Sequence, residues 1–452
     1  MKDRSADFVQ GKVSKLLFNR TMPMVIAMVG MLSFNLIDTY FVGKISTTAL
    51  AAISFTFPIT YIITAFAIGL GTGASAVVSR AIGSKEGDKA VRLASDALTL
   101  GLAFAVIFVI TGMLTVEPLF TMLGARDDTL QLIKDYMYIW YPGSLFVVIP
   151  MIGNSIFRAK GDTKTPSAIM MIAVIVNTAL DPILIFGWGA IPAFGIKGAA
   201  TATVISRAIT FLAAFYFLYK RDALISFKTP TLEAVKQSYR SILYIGLPSA
   251  GTSLIVPVGA SLILSLVSAY GTEAVAGFGV ATRIEAFSLT VIMALGSVLG
   301  PFIGQNFGAE KLDRVNKGVN ISSGFGMVWG LVALLFLSVL AEPLAKIFND
   351  NPAVVEVVKT YLWILPLSYG FQSVVMLTGV SFNVLNKPFY SATLGLLRMI
   401  ALYLPLAYAG SQMFGLNGIF IAGAGSNFIV GILGYFWLKN HIFKLSDIKQ
   451  PV

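Results

Sequence analysis

Polar side chains in two otherwise apolar stretches have the types and spacing of a cation site. Asp38 closes the apolar run TMPMVIAMVGMLSFNLID, which begins at Thr21. Asn177 and Asp181 lie four residues apart in IVNTALDPIL, so a helix would place them on one face. A carboxylate inside a membrane span is costly unless it is paired, hydrated or protonated. We therefore expect Asp38 and Asp181 to bind and release a cation, which could be H⁺, Na⁺ or the ammonium group of a drug.

The two acids are expected to form one pocket if their helices meet. Two carboxylates in one pocket repel each other, and a bound cation would relieve that repulsion. Thr201 or Thr203, both in GAATATVIS, could add a hydroxyl oxygen, and the spacing does not decide between them. Asn154 could add an amide oxygen. Together with Asn177 and Asp38, it is also predicted to line the substrate cavity.

Each of these residues also has a structural interpretation. Asp38 could be an interfacial acid at the end of its span, and Asp181 precedes a proline that could break a helix. Asn177 could simply bond a neighbouring helix. The two threonines, Thr201 and Thr203, could bond only their own backbone.

Pro23 lies in the same predicted span as Asp38, fifteen residues earlier. Proline removes a helical hydrogen bond and clashes with the preceding turn, so it creates a point where a helix can bend. Protonation of Asp38 could therefore change the bend at Pro23, although a static kink is an equally good interpretation. Glu285, in ATRIEAF, is the second-choice cation site, and Arg283 two residues earlier does not face it on a helix.

The composition indicates a membrane protein and excludes several functional classes. Of 452 residues, 56% are hydrophobic and only 12% are charged, about half the usual charged share of a soluble domain. The chain has no cysteine and a single histidine, His441, so thiolate and histidine metal sites are not expected. It has no phosphate loop for ATP, and GLGTGA at 69–74 fits helix packing better than nucleotide binding. We expect no enzyme activity, no metal and no cofactor beyond the coupling ion.

Hydropathy predicts an all-α polytopic fold with twelve transmembrane helices. The predicted spans are 17–42, 49–78, 94–116, 131–157, 166–188, 196–219, 241–269, 274–303, 318–341, 354–384, 388–410 and 416–438. With both termini in the cytoplasm, inner segments hold about four times as many Lys and Arg as outer loops. This bias supports cytoplasmic termini, and it explains the net charge of +11 without nucleic acid.

An internal repeat divides the chain into two halves. At an offset of 225 residues, Pro23 matches Pro248, Gly83 matches Gly308, and Asp88, Glu117 and Tyr136 match Asp313, Glu342 and Tyr361. We predict two pseudo-symmetric six-helix bundles around a central cavity, 1–219 and 241–452, joined by a cytoplasmic linker at 220–240. Parallel repeats of this kind usually flank a substrate path. The acids Asp38 and Asp181 have no acidic counterpart in the second half.

The chain resembles the multidrug and toxic compound extrusion (MATE) family over nearly its whole length. The resemblance is carried by IDTYFVGKISTTALAA, RAKGDTKTPS, NTALDPILIFG, GIKGAATAT and ATRIEAF. The first-bundle acids resemble the DinF-like branch, which implies a cation site at Asp38, Asn177 and Asp181 with bending of the first helix at Pro23. The NorM-like branch has acids in the second bundle, where this chain has Glu285 but no acid in its tenth span.

The resemblance implies an antiporter that exports bulky, often cationic drugs in exchange for H⁺ or Na⁺. We expect a monomer in the bacterial cytoplasmic (inner) membrane, with small-molecule substrates and the lipid bilayer as its partners. The alternative is a flippase for lipid-linked oligosaccharides, but its cavity would need more cationic groups than the three arginines found in spans. A prenyl-diphosphate transferase would need paired aspartate motifs for Mg²⁺, and strict counter-transport would exclude a passive channel.

Overall fold

Helices joined by short turns make up almost the entire protein. A computed structural model describes residues 7–227 and 230–448. Within these residues there is no β-strand, only an isolated bridge between Trp188 and Ile191. The first helices are α1 Val13–Gly43, α2 Thr47–Gly83, α3 Gly87–Met122, α4 Asp127–Gly143, α5 Leu145–Lys160, α6 Lys164–Phe186 and α7 Ile196–Tyr216. The others are α8 Leu232–Ser268, α9 Thr272–Gly308, α10 Leu312–Lys346, α11 Pro352–Ile364, α12 Tyr369–Val384, α13 Pro388–Leu396 and α14 Leu404–Ile448.

These helices provide twelve membrane crossings. Ten helical segments of the described chain are long and apolar enough to span a bilayer, and the pair α4–α5, bent by 42°, forms an eleventh crossing. The segment Pro388–Asp447 has 60 residues, more than twice the roughly 20–25 residues that one crossing needs. Its helix breaks at Gly415, where φ is 61° and ψ is −144°, so the segment holds two crossings. The predicted all-α fold with twelve spans is confirmed.

The chain forms two compact units whose bounds differ from the predicted bundles. The first unit contains residues 22–250, and the second contains residues 7–21 and 251–448. One boundary between the units therefore lies inside α1, between Thr21 and Met22. The other lies inside α8, which begins at Leu232, within the segment predicted as a linker. Of the predicted domains, residues 1–6, 228–229 and 449–452 lie outside the described part of the chain.

Small residues allow α2 to approach its neighbours closely within the first unit. A Cβ atom at Gly69 or Gly73 would collide with the backbone carbonyl of Gly246 or Ile242 on α8. A Cβ atom at Gly71 would lie 2.6 Å from the Ser155 hydroxyl on α5. The GLGTGA segment is therefore buried helix-packing surface, which is how small residues commonly act in membrane proteins.

The internal repeat is visible in the backbone and in the ion pairs of each unit. The turn after α2 has Lys85 at φ 62°, and the turn after α9 has Glu310 at φ 60°, 225 residues later. Positive φ is uncommon for residues other than glycine, so its recurrence at matched positions marks two copies of one hairpin. The pair Lys134–Glu117, at 2.6 Å, likewise recurs as Lys359–Glu342, at 3.9 Å.

Candidate functional site

The first unit brings Asn177 and Asp181 into direct contact. Both lie on α6 with no exposed surface, and the Asn177 Nδ2 donates a hydrogen bond of 3.3 Å to the Asp181 Oδ1. The four-residue spacing places both side chains on one face of the helix, as expected. Pro182 follows within the same helix, which continues to Phe186, so the Asp-Pro step does not end it.

Several oxygen atoms of the predicted site are buried and have no hydrogen-bond partner among the described residues. They are Asp38 Oδ1, Asp181 Oδ2, Asn177 Oδ1 and Asn154 Oδ1. A buried carboxylate or amide oxygen without a partner is destabilising by about 1–3 kcal/mol, and more when it carries charge. Such a set of acceptors is suited to receive a proton, a cation or a polar group of a ligand.

The two acids lie close enough for Asp38 to influence the charge of Asp181 electrostatically. Tyr136, on α4, is buried and interacts electrostatically with both carboxylates. Sequence reasoning did not assign Tyr136 to the site, although it had matched Tyr136 to Tyr361 in the repeat. The match to Tyr361 could have suggested a role for Tyr136, because Tyr361 bonds an acid of the second unit, Glu285.

The other candidates of the first unit, Asn154, Thr201 and Thr203, form no hydrogen bond with the two acids among the described residues. Asn154 is buried on α5, and no hydrogen bond between described residues joins it to Asp38 or Asp181. The Thr201 hydroxyl donates to the Lys197 carbonyl at 2.7 Å, so its proton is used within α7. Its oxygen can still accept a hydrogen bond. Among the described residues, no side-chain hydrogen bond distinguishes Thr203 as the better candidate.

Pro23 lies in the first half of α1, which remains helical on both sides of it. The next residue, Met24, is fully buried and accepts a hydrogen bond from the Ser167 hydroxyl on α6 at 3.3 Å. Thr21, the last residue of α1 that belongs to the second unit, lies two residues before Pro23. Pro23 thus occupies the part of α1 where its packing changes from one unit to the other.

In the second unit, Glu285 belongs to a hydrogen-bonded network. Its Oε2 accepts a bond from the Tyr361 hydroxyl, and its Oε1 accepts one from the Gln372 Nε2 at 3.0 Å. Asn427 donates to the Gln372 Oε1 at 3.4 Å and accepts from the Arg398 Nη1 at 3.2 Å. Arg398 also interacts electrostatically with Glu285. Glu285 therefore has donors on both oxygens and a nearby cation, unlike Asp38 and Asp181.

The comparisons with known proteins agree with this architecture. The pattern of the MatE family matches residues 23–183 and 248–409, one match in each half. The chain is 36% identical over 436 residues to the FAD transporter of Shewanella oneidensis, covering 96% of each chain. It is 26% identical to the multidrug export protein MepA of Staphylococcus aureus, covering 91% of this chain and 90% of that protein. The bent form of the Vibrio cholerae MATE transporter VcmN superposes with a TM-score of 0.90 at 30% identity, covering 96% and 97% of the two chains.

Twelve crossings in two repeated units are typical of a multi-pass membrane transporter. The family match and the 36% identical relative then identify the kind of transporter. The chain belongs to the multidrug and toxic compound extrusion (MATE) family, and the resemblance noted from its motifs is confirmed. Its bacterial relatives indicate an inner-membrane location.

Proposed function

We propose that the protein is a cation-coupled exporter, driven by H⁺ with Na⁺ as the alternative ion, whose coupling site is formed by Asp38, Asp181 and Asn177. The observation that carries the proposal is the pair of acids with unpartnered oxygens in the first unit. A carboxylate in that position is costly when charged and inexpensive when protonated. Proton binding and release can therefore shift a conformational equilibrium, which is the requirement for coupling to a gradient.

The step between protonation and transport is assigned to α1. Asp38 and Pro23 are on the same helix, and Pro23 lacks the amide that would stiffen it. A change in the charge of Asp38 changes the hydrogen bonds that its half of α1 can make, and bending at Pro23 would follow. The bent form of VcmN belongs to a relative at 30% identity and supports this step. We further propose that the termini are cytoplasmic and that the transporter acts as a monomer.

Two classes of exported compound are supported by different relatives. The 24–26% identical relatives are named as multidrug resistance or export proteins, which favours bulky organic drugs. The relative at 36% identity is named as a FAD transporter, which favours FAD as a second candidate substrate. Its higher identity over the whole chain makes FAD the compound to test first.

Proteoliposomes test both parts of this proposal. The full-length protein is reconstituted, a proton gradient is imposed without Na⁺, and movement of FAD and of a fluorescent cationic dye is followed separately. Gradient-driven movement of FAD alone assigns a flavin dinucleotide exporter, and movement of the dye assigns a drug exporter. Movement only in a Na⁺ gradient changes the coupling ion, and movement without any gradient contradicts the proposal.

A further inference from the structure

A basic cavity lies at the end of α2 and the start of α3, away from the acids of the first unit. Its volume is about 250 Å³, and its lining includes Arg80, Lys89 and Arg92 together with Gln237, Ser238 and Ser241 of α8. We call this region the α2–α3 corner. The orientation predicted from basic residues places it on the cytoplasmic side.

The charges of the α2–α3 corner are not balanced. Lys89 forms an ion pair with Glu86 at 2.6 Å, and Glu86 also lines the cavity. Within the part of the chain that the structure describes, no ion pair involves Arg80 or Arg92, and the Arg92 Nε is buried without a hydrogen-bond partner. The one carboxylate that lines the cavity, Glu86, is thus paired with Lys89, and both guanidinium groups lack an ion-pair partner among the described residues.

In the matching corner of the second unit, cations of the hairpin bind oxygen atoms of the chain itself. There the residues preceding α1 supply backbone carbonyls to the cations of the α9–α10 hairpin. Arg314, the repeat equivalent of Lys89, donates to the carbonyls of Phe8 at 3.0 Å, Gln10 at 3.2 Å and Gly11 at 2.9 Å. Lys311 donates to the Val9 carbonyl at 3.2 Å. In that unit, the chain itself provides the oxygen ligands.

In the first unit, the equivalent residues cannot supply backbone carbonyls to the cations of the α2–α3 corner. The residues equivalent to 7–12 are 232–237, and they already form the first turns of α8, which begins at Leu232. Most carbonyls of a helix accept bonds from its own amides, so they are not available to Arg80 or Arg92. The Ser238 and Ser241 hydroxyls likewise donate to carbonyls of α8, at 3.0 and 2.9 Å. Of the two carbonyl-binding cations in the second unit, Arg314 has a counterpart in Lys89, whereas Glu86 stands at the position of Lys311. Arg80 and Arg92 stand at the positions of Gln305 and Lys317, so the first unit adds a guanidinium group at Arg80 and lacks the carbonyl ligands of its repeat.

We propose that the α2–α3 corner is a binding site for a phosphate group, held by Arg80 and Arg92. Guanidinium groups match phosphate oxygens in geometry and charge, and the planar fork permits two parallel hydrogen bonds. The phosphate is either the headgroup of an anionic phospholipid or part of a soluble phosphorylated compound. A basic site beside a membrane span is suited to both sources.

The experiment compares ligand-dependent thermal stability of the full-length protein with two sources of phosphate. One series adds inorganic phosphate to the protein in detergent, with chloride at equal ionic strength as the reference. The other places the protein in nanodiscs of phosphatidylcholine with or without phosphatidylglycerol. The site variant is R80Q/R92Q. The control is K85Q/K236Q, which removes the same charge from exposed residues of the same region that do not line the cavity.

We expect at least one source of phosphate to raise the Tm of the wild type and of the control by several degrees. Neither source should raise the Tm of R80Q/R92Q. A rise with inorganic phosphate assigns a soluble ligand, and a rise only with phosphatidylglycerol assigns a lipid. An equal loss in the control would mean diffuse charge attraction and overturn the site, as would no rise in the wild type.

A second variant keeps the test decisive if R80Q/R92Q does not fold. Ser241→Glu places a carboxylate in the cavity and supplies the missing oxygen ligands from the chain, as the second unit does. We expect it to raise the basal Tm and to abolish the response to both phosphate sources. An unchanged response in Ser241→Glu would contradict the proposal.

Discussion

Tyr136 and Tyr361 occupy equivalent positions in the two repeats, and each lies beside the intramembrane acid of its own unit. The Tyr361 hydroxyl donates directly to Glu285, whereas Tyr136 interacts electrostatically with Asp38 and Asp181. The repeat has thus kept the tyrosine and changed the acids around it. In the second unit the carboxylate is fully bonded, and in the first unit carboxylate oxygens remain without partners. This asymmetry is why we assign coupling to the first unit.

Asp181→Asn is expected to abolish gradient-driven transport, reducing the initial rate to the level of empty liposomes. The amide keeps the shape of the side chain but cannot gain or lose a proton, so the site stays in one charge state. The comparison variant is Glu285→Gln, the same type of change at the acid of the second unit. Because this variant is also expected to lose stability, efflux is compared at equal amounts of folded, reconstituted protein. Efflux assays on both variants check this expectation, and loss of coupling in Glu285→Gln with normal coupling in Asp181→Asn would reverse the assignment.

Asn177→Ala is expected to lower both stability and coupling. It removes the donor to Asp181 at a fully buried position, and a hydrogen bond within a folded protein contributes about 0.5–1.5 kcal/mol. Thermal unfolding in detergent measures the stability, and the efflux rate measures the coupling. Thr210→Val serves as control, because Thr210 is buried on α7 and its hydroxyl donates to the Arg207 carbonyl of the same helix at 2.7 Å. An Asn177→Ala protein with wild-type transport would remove Asn177 from the site.

Glu285 and Arg398 are expected to act as a structural pair. The two part-buried side chains are linked through Gln372 and Asn427, and removing either leaves polar groups of this network without a partner, which costs about 1–3 kcal/mol. Glu285→Gln and Arg398→Gln should therefore each destabilise the protein, while the double variant should be more stable than the sum of the two losses predicts. Unfolding of the four proteins in a double-mutant cycle measures this coupling. Strictly additive losses would show that the two charges act independently.

Pro23→Ala is expected to slow transport by about tenfold or more while preserving the fold, since alanine restores the missing hydrogen bond of α1. Pro58→Ala makes the same change within α2 and should have a smaller effect on transport. Initial efflux rates are compared at equal amounts of reconstituted protein. A larger defect in Pro58→Ala than in Pro23→Ala would argue against a bend in the first helix.

The turn between α5 and α6 should make stability depend on pH. Burial opposes the charge of Asp162, but bonds from the Thr165 hydroxyl and amide and from Arg221 outweigh it, so the pKa of this carboxyl lies below its usual range. Its contribution is therefore present above the unfolded pKa and is lost as the pH falls through the folded value. Asp162→Asn should reduce the acid-side loss of Tm. An identical decline in both proteins would assign that loss to other groups.

Hydropathy predicted the helices because every backbone group in lipid must be bonded within its own segment. It did not predict the bend at Ser144, since 131–157 reads as one apolar run, nor the start of α8 at Leu232. The turns of α8 before residue 241 are charged and partly exposed, so an apolar window cannot detect them.

Part of the candidate site could also be predicted from the sequence. Acids in apolar spans are rare and therefore conspicuous, which identified Asp38 and Asp181. Tyr136 was missed because tyrosines are common in membrane helices, and only the folded chain shows which of them lies beside a carboxylate. The α2–α3 corner was missed because arginines at the end of a span also follow from the positive-inside rule.

The most direct test of the account is proton-driven efflux by the wild type and Asp38→Asn, reconstituted side by side without Na⁺. The account predicts efflux of FAD or of a cationic dye by the wild type, and none above empty liposomes by Asp38→Asn. Equal efflux by both proteins would contradict it, because Asp38 could then not be the residue whose protonation couples the gradient to export.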